Sequence, residues 1–386
     1  MSNNPSGNRP TATKFVTTSQ GVSLNIRSAP NTTASILSKL PRGSQVNIYT
    51  DGINNGFAQL VDPVAGQIGY VSMQFLADVT PVAPTIPVVP SQPVTPTTPT
   101  TPVTPATTGP VTARPGLHIV GSAINNNLRD KLVASVKACY DAGRPYGAVV
   151  VVDNPAMANE LAKYTTVVMR DYAAGNTYSL GKCQTPDAAR AHAAQVYAAH
   201  STTMKLAPNV QYFQLHNEDG VSPDFELETM RLAEADNRHI GLFGYSVGTP
   251  EIPVWQSLVP VLRHAMANGH VVILHQYGPF VNGKVTDQPV SSPNLFEYFG
   301  GRHRSFYASV PADCRPKLII GETGPSDAIF RGAAPLVADQ RAYIGLLRAD
   351  PYVIGACPFT FGPSYQNAAY ELNGALGDYE AFTKSI

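Results

Sequence analysis

The chain has 386 residues, room for two or three domains, and 43% of them are hydrophobic, enough for a large core. Only 14% are charged, 27 basic against 27 acidic, which argues against nucleic acid or an anionic membrane as partner. No apolar run approaches the roughly 20 residues that span a bilayer, so membrane insertion is not expected.

Residues 1–13 read as a flexible tail. Their polar start, Met1-Ser2-Asn3-Asn4-Pro5, lacks the charged-then-apolar pattern of a signal peptide, so export is expected to use another route or to follow removal of a signal. Residues 14–79 predict a small all-β barrel. Short alternating runs at 22–26, 45–49, 57–61 and 68–71 are separated by turn signals at Ala29-Pro30-Asn31, Pro41-Arg42-Gly43 and Asp51-Gly52. Residues 80–115 are built of Pro, Thr and Val, as in Pro93-Val94-Thr95-Pro96-Thr97-Thr98-Pro99. Proline fixes φ and withholds a donor, so this stretch predicts an extended spacer, about 3.1 Å per residue and on the order of 100 Å in reach. Linkers of this kind commonly join a binding module to an enzyme that works on an insoluble polymer; the plainer reading is a domain spacer.

Residues 116–386 alternate between strand and helix patterns. Eight strand-like runs lie at 117–121, 148–153, 166–171, 212–218, 241–246, 271–277, 318–322 and 353–359. Most are apolar throughout, as strands of a parallel sheet buried on both faces must be. Residues 128–136 repeat their apolar positions at helical spacing, and the alanine-rich 188–199 follows a helix start at Thr185-Pro186-Asp187. Eight such units in 271 residues predict an α/β fold, a (β/α)8 TIM barrel. The alternative, a doubly wound open sheet, needs a phosphate-cradling turn after its first strand, and Gly121-Ser122-Ala123 does not supply G-x-G-x-x-G.

Two of the runs end in carboxylates followed by turn residues: Glu218 before Asp219-Gly220, and Glu322 shortly before Gly324-Pro325. Parallel barrel strands all point one way, so their ends gather at one mouth, and a carboxylate there reads as catalytic. The polar set predicted at the mouth is Asp153, Arg170, Asp171, His216, Asn217, Glu218, His275, Tyr277 and Glu322. Arg170 and Asp171 could equally form a structural charge pair. His118, His239 and His270 read as satisfied structural histidines. The four cysteines, Cys139, Cys183, Cys314 and Cys357, show no metal-ligand spacing, so no zinc site is expected. They read as free buried thiols, with one or two disulfides as the alternative.

Two stretches carry family resemblances. Leu24-Asn25-Ile26-Arg27-Ser28-Ala29-Pro30, Leu40-Pro41-Arg42-Gly43-Ser44-Gln45-Val46 and Gly69-Tyr70-Val71-Ser72-Met73-Gln74-Phe75-Leu76 resemble a bacterial SH3-like domain, with Phe57 and Tyr70 where tryptophans are common. That resemblance implies attachment to cell-wall or surface glycopeptide. Asn217-Glu218 ending the fourth run, His275-x-Tyr277 on the sixth and Glu322 ending the seventh resemble the clan A glycoside hydrolases. The resemblance implies a retaining β-glycosidase acting on an extracellular or cell-wall polysaccharide, with no cofactor and no metal. It implies Glu218 as acid/base, in a partly desolvated pocket near a negative charge, and Glu322 as nucleophile, kept ionised by Arg170 or Tyr277. Asn217 would hold the sugar 2-hydroxyl, and His275 and His216 would line the subsite, with Asp153 a further substrate contact. The expected carboxyl separation is about 5–5.5 Å. The chain departs from the clan at Asp153, where an arginine is common, and at Phe359-Thr360-Phe361, where a tryptophan platform often stands.

Two other readings compete. A peptidoglycan muramidase of another barrel family would need an Asp-x-Glu pair on one strand and an Asp on the first, and neither stands at the mouth. A non-hydrolytic carbohydrate-binding or surface protein on a decayed barrel fits the scarcity of tryptophan.

Overall fold

A computed structural model describes residues 11–16, 24–40, 44–54, 56–61, 68–77, 112–122, 124–171, 178–279, 287–293, 295–364 and 368–386. Contacts divide the chain into two compact units, Met1–Thr98 and Pro99–Ile386. The predicted turn at 41–43 and the Pro/Thr-rich stretch up to residue 111 lie outside the described residues.

The first unit is one antiparallel sheet of seven strands: β1 (Thr11–Val16), β2 (Leu24–Arg27), β3 (Ile36–Leu40), β4 (Gln45–Asn54), β5 (Phe57–Val61), β6 (Ile68–Ser72) and β7 (Leu76–Ala77), in the order β3-β2-β6-β5-β4-β1-β7. Alternation along the strands sends Val16, Leu24, Ile26, Val46, Ile48, Leu60 and Val71 into its core. Two expectations change here. Thr11–Val16 pairs along β4, so the ordered unit begins inside the stretch read as a tail. Asp51-Gly52 is not a turn but lies within β4; the hairpin turns where Asn54 faces Phe57, with Gly56 at φ 75°. Asn-Gly is the stronger hairpin signal, because both central residues of that turn need positive φ.

The second unit is a parallel barrel: β8 (Arg114–Pro115), β9 (Leu117–Val120), β10 (Val149–Val152), β11 (Val167–Arg170), β12 (Tyr212–Gln214), β13 (His239–Tyr245), β14 (Val271–Tyr277), β15 (Leu318–Gly324) and β16 (Val353–Pro358). Strands β9 to β16 run in sequence order, each parallel to the next. The ring closes beyond β16, where Phe361 donates its N–H to His118 O (2.8 Å) and accepts from Val120 N–H (2.9 Å). Arg114–Pro115, assigned by composition to the linker, instead pairs with Gly355 and Ala356. Helices α1 (Asn126–Asp141), α2 (Pro155–Leu161), α3 (Pro186–Leu206), α4 (Pro223–Ala235), α5 (Ile252–Ser257), α6 (Val259–Ala267), α7 (Arg302–Ala308), α8 (Ala333–Leu347) and α9 (Leu376–Lys384) belong to the same unit. Local chemistry starts several of them. Asn125, Asn154 and Thr185 each accept the backbone N–H three residues on, and Pro155 and Pro186 occupy the first helical position.

The strands bury both faces, which is why they read as continuous apolar runs. Val150, Val152, Val168, Tyr212, Ile273, Ile319 and Cys357 fill the lumen. Their neighbours Val149, Val151, Val167, Phe213, Val272 and Ile320 pack in the outer layer with helix residues such as Leu132, Val196 and Tyr343. All four cysteines are free thiols.

Candidate active site

Inward-facing positions at the C-terminal ends of the strands carry polar groups. Arg170 follows Val168 on β11, His275 follows Ile273 on β14, and Glu322 rides on β15. Strict alternation from the lumen residue Ile319 would turn residue 322 outward. The ladder prevents this. Ile320 pairs with Leu274, but Glu322, not Gly321, pairs with His275, so Gly321 is an extra residue that turns Glu322 inward. A side chain there would not fit, since a Cβ on Gly321 would lie 2.7 Å from Ile273 Cγ2. A second bulge re-aims β13. Phe243 pairs with Ile273 and Tyr245 with Leu274, leaving Gly244 (φ 63°) as the extra residue. Gly244 O accepts the N–H of Glu218 (2.9 Å), and a Cβ on Gly244 would meet Gln214 Nε2 at 2.2 Å.

Glu322 sits at the centre of the polar cluster, its side chain only 9% exposed. Arg170 Nη1 donates to its Oε1 at 2.8 Å and Tyr277 Oη to its Oε2 at 3.1 Å. His275 Nδ1 lies 3.6 Å from Oε2, and His118 Nε2 lies 3.6 Å from Oε1. Burial works to raise this carboxyl pKa, but His275, Arg170 and His118 outweigh it and hold the group well below the usual carboxylate range. Burial, and then the Glu322 charge, push the Tyr277 hydroxyl far up, so it remains a donor.

Glu218 stands at φ 56° just beyond β12, its side chain 41% exposed, with Oε1 2.8 Å from His275 Nδ1. His275 Nδ1 thus bonds Glu218 and also lies near Glu322, and one oxygen of each together with Nδ1 lie within 4.8 Å of one another. Asn217 Oδ1 accepts from Arg170 Nη1 (2.7 Å) and Gln214 Nε2 (3.2 Å), which leaves its Nδ2 to donate elsewhere. Gln214 Nε2 also donates to His216 O (3.0 Å) and so ties down the loop before Glu218.

The structure thus brings together Glu218, Glu322, Asn217, Arg170, His275 and Tyr277 from strands far apart in sequence. It treats the remaining expectations differently. His216 turns away: Nε2 bonds Glu226 of α4 at 2.6 Å, and the ring stacks on Tyr178 at 4.5 Å. The physical reason is that the buried Glu226 carboxylate requires a partner. Asp153 follows β10 at φ 56°, half-buried, its backbone N–H bonded to Arg170 O. Arg170 turns to Asn217 and Glu322, whereas Asp171 meets Thr203 of α3 and lies 3.9 Å from His200. Glu218 is also more open than a desolvated acid pocket would make it. His118, read from the sequence as a satisfied structural histidine, is fully buried in the lumen on β9, its Nδ1 2.7 Å from Thr360 Oγ1 and its ring 4.9 Å from that of Phe359, with Nε2 lacking a hydrogen-bond partner among the described residues. The available signal was a polar residue amid Leu117-His118-Ile119-Val120, a strand buried on both faces. His270 is structural, as expected. Its Nδ1 accepts Ile240 N–H, so its Nε2 carries the proton that Glu234 receives (2.9 Å). With His264 also on Glu234 (2.6 Å), this cluster latches α4 to α6 and to the residue before β14.

Residues 22–77 match the bacterial SH3 domain family. No match was found among the curated proteins. Among solved structures, the chain is similar to a GH30 endoxylanase from Clostridium papyrosolvens C71, at 12% identity and TM-score 0.40, over 71% of this chain and 73% of that one. It is similar to a β-glucuronidase from an uncultured Clostridium species, at 13% identity and TM-score 0.44, over 94% of this chain and 63% of that one. It is also similar to an endo-β-1,4-mannanase double mutant from Cellulomonas fimi, at 12% identity and TM-score 0.42, over 70% of each chain. The barrel is established by its own ladder, and likeness at this level adds nothing about chemistry.

Proposed function

We propose that the barrel is a retaining β-glycosidase with Glu218 as acid/base and Glu322 as nucleophile, acting on an extracellular or cell-wall polysaccharide. The observation that carries this reading is the closeness of the two carboxylates: one oxygen of each lies within 4.8 Å of the other at the mouth of one barrel. Inverting enzymes hold their carboxyl groups about 6.5–9.5 Å apart to admit a water and retaining ones about 5–5.5 Å, and oxygens that approach this closely favour the shorter spacing.

The two environments suit the two roles. Glu322, surrounded by donors, is ionised and able to attack the anomeric carbon. Glu218 faces the opening, next to the Glu322 charge. It protonates the departing glycosidic oxygen, then takes a proton from the water that cleaves the glycosyl-enzyme ester. Asn217 Nδ2 is left to donate to a sugar hydroxyl because Oδ1 is occupied. Residues 14–79 act as the module that binds cell-wall glycopeptide, residues 80–113 as the spacer, and the catalytic domain runs from Arg114.

The test is a panel of 2-fluoro-glycosides followed by peptide mass mapping. Labelling of Glu322 by one sugar identifies nucleophile and sugar preference together. Labelling of another residue, or Glu322→Gly with undiminished hydrolysis, removes the assignment.

A further inference from the structure

His118 was not among the residues expected at the mouth, yet it is completely buried and its Nε2 has no hydrogen-bond partner among the described residues. That nitrogen lies 3.6 Å from Glu322 Oε1. What the ring offers that carboxylate depends on which nitrogen carries the proton.

We propose that Thr360 and His118 form a positioning relay for Glu322, the threonine hydroxyl holding the imidazole tautomer in which Nε2–H faces the carboxylate. This deepens the glycosidase reading and rests on it for its catalytic meaning. Two lines of geometry agree. Thr360 Oγ1 has three acceptors in reach: His118 Nδ1 at 2.7 Å, and the carbonyls of His118 and Phe361 at 3.2 Å each. Both carbonyls already accept backbone N–H groups, from Phe361 (2.8 Å) and Val120 (2.9 Å). Each carbonyl keeps a second lone pair, so the hydroxyl alone leaves the direction of the 2.7 Å contact open; the Glu322 carboxylate facing Nε2 selects it, and with the imidazole proton on that side Nδ1 accepts from Thr360. The opposite tautomer would aim a lone pair at a buried anion, which low dielectric makes costly.

Arg170, His275 and Glu322 are the charged and titratable groups that bear on this ring. Burial, the largest influence, holds the imidazole pKa down to about 3, so at neutral pH the ring acts on Glu322 as an N–H dipole. Such a dipole favours the carboxylate over the glycosyl ester. It therefore assists the second half-reaction, in which the Glu322–sugar bond breaks and the electron pair returns to the carboxylate oxygen.

Thr360→Val keeps the shape and removes the hydroxyl; Thr360→Ser keeps the hydroxyl. In the full chain, Thr360→Val is expected to raise the acid limb of kcat/KM by about half to one pH unit and to lengthen the life of the 2-fluoroglycosyl intermediate about three- to tenfold, with Thr360→Ser restoring both. A purely structural role would lower activity without moving the limb. Histidine 15N NMR reads the relay without turnover: wild type should show the Nε2–H tautomer of His118 at every pH from 5 to 8. An Nδ1–H tautomer, a ring that titrates in that range, or an unmoved acid limb in Thr360→Val overturns the relay. Glu322→Gly that retains hydrolysis instead overturns the glycosidase reading and leaves the tautomer question answered by the NMR alone.

Discussion

The ends of β12 and β15 present the same side chain in opposite settings. Glu322 is enclosed, its side chain 9% exposed, and receives Arg170 and Tyr277. Glu218 is 41% exposed and meets one imidazole nitrogen. The difference suits the two roles proposed for one residue type: converging donors keep one carboxyl ionised, while the other faces the opening beside that charge.

The sharpest way to break the contrast is to remove each carboxylate. Glu322→Gly should lower glycoside turnover on the order of 10⁴-fold or more, measured against the sugar that labels it, with the circular dichroism spectrum unchanged. Glu218→Ala should cost about 10²- to 10⁴-fold on poor leaving groups and much less on aryl glycosides with acidic phenols, which need no proton. Equal losses on both substrates would mean that Glu218 is not the acid. Gly321→Ala tests the bulge that aims Glu322. Its Cβ must displace Ile273, so stability should fall by about 1–3 kcal/mol in denaturant titrations, with activity falling further than Gly345→Ala, a glycine with open space around it.

A smaller effect concerns pH. His118, with its folded pKa near 3 against an ordinary 6.5, is neutral in the folded chain. The unfolded chain binds more protons below pH 6.5, so the stability linked to this group is complete above that pH and is lost as pH falls from there towards 3. Burial lowers the pKa of His200 and His303 in the same sense. His118→Asn should therefore flatten the fall in calorimetric stability between pH 7 and pH 5 by about 2 kcal/mol. An unchanged slope would show that His118 takes up its proton in the folded chain as readily as in the unfolded one.

The sequence was most informative where one physical requirement dominates a whole segment. Strands buried on both faces must be apolar throughout, so all eight barrel runs stood out, and the strand ends located Glu218 and Glu322. It was least informative where one residue alters a register. Nothing in Ile319-Ile320-Gly321-Glu322 states that Gly321 is the extra residue, because a bulge is defined by the partner strand. His216 looked like a mouth residue until α4 supplied Glu226. His118 looked structural until the barrel closed and set Thr360 and Glu322 on either side of its ring.

By itself, then, the amino-acid order determined which segments are strands, their parallel arrangement and the two carboxylates at their ends, since hydrophobic periodicity and turn chemistry act over a few neighbouring residues. Only the closed barrel decided which side chains face each other, how exposed each carboxylate is and which nitrogen of a buried histidine bears the proton. Those properties depend on distances between residues more than 100 positions apart, such as 2.8 Å from Arg170 to Glu322, which packing alone sets.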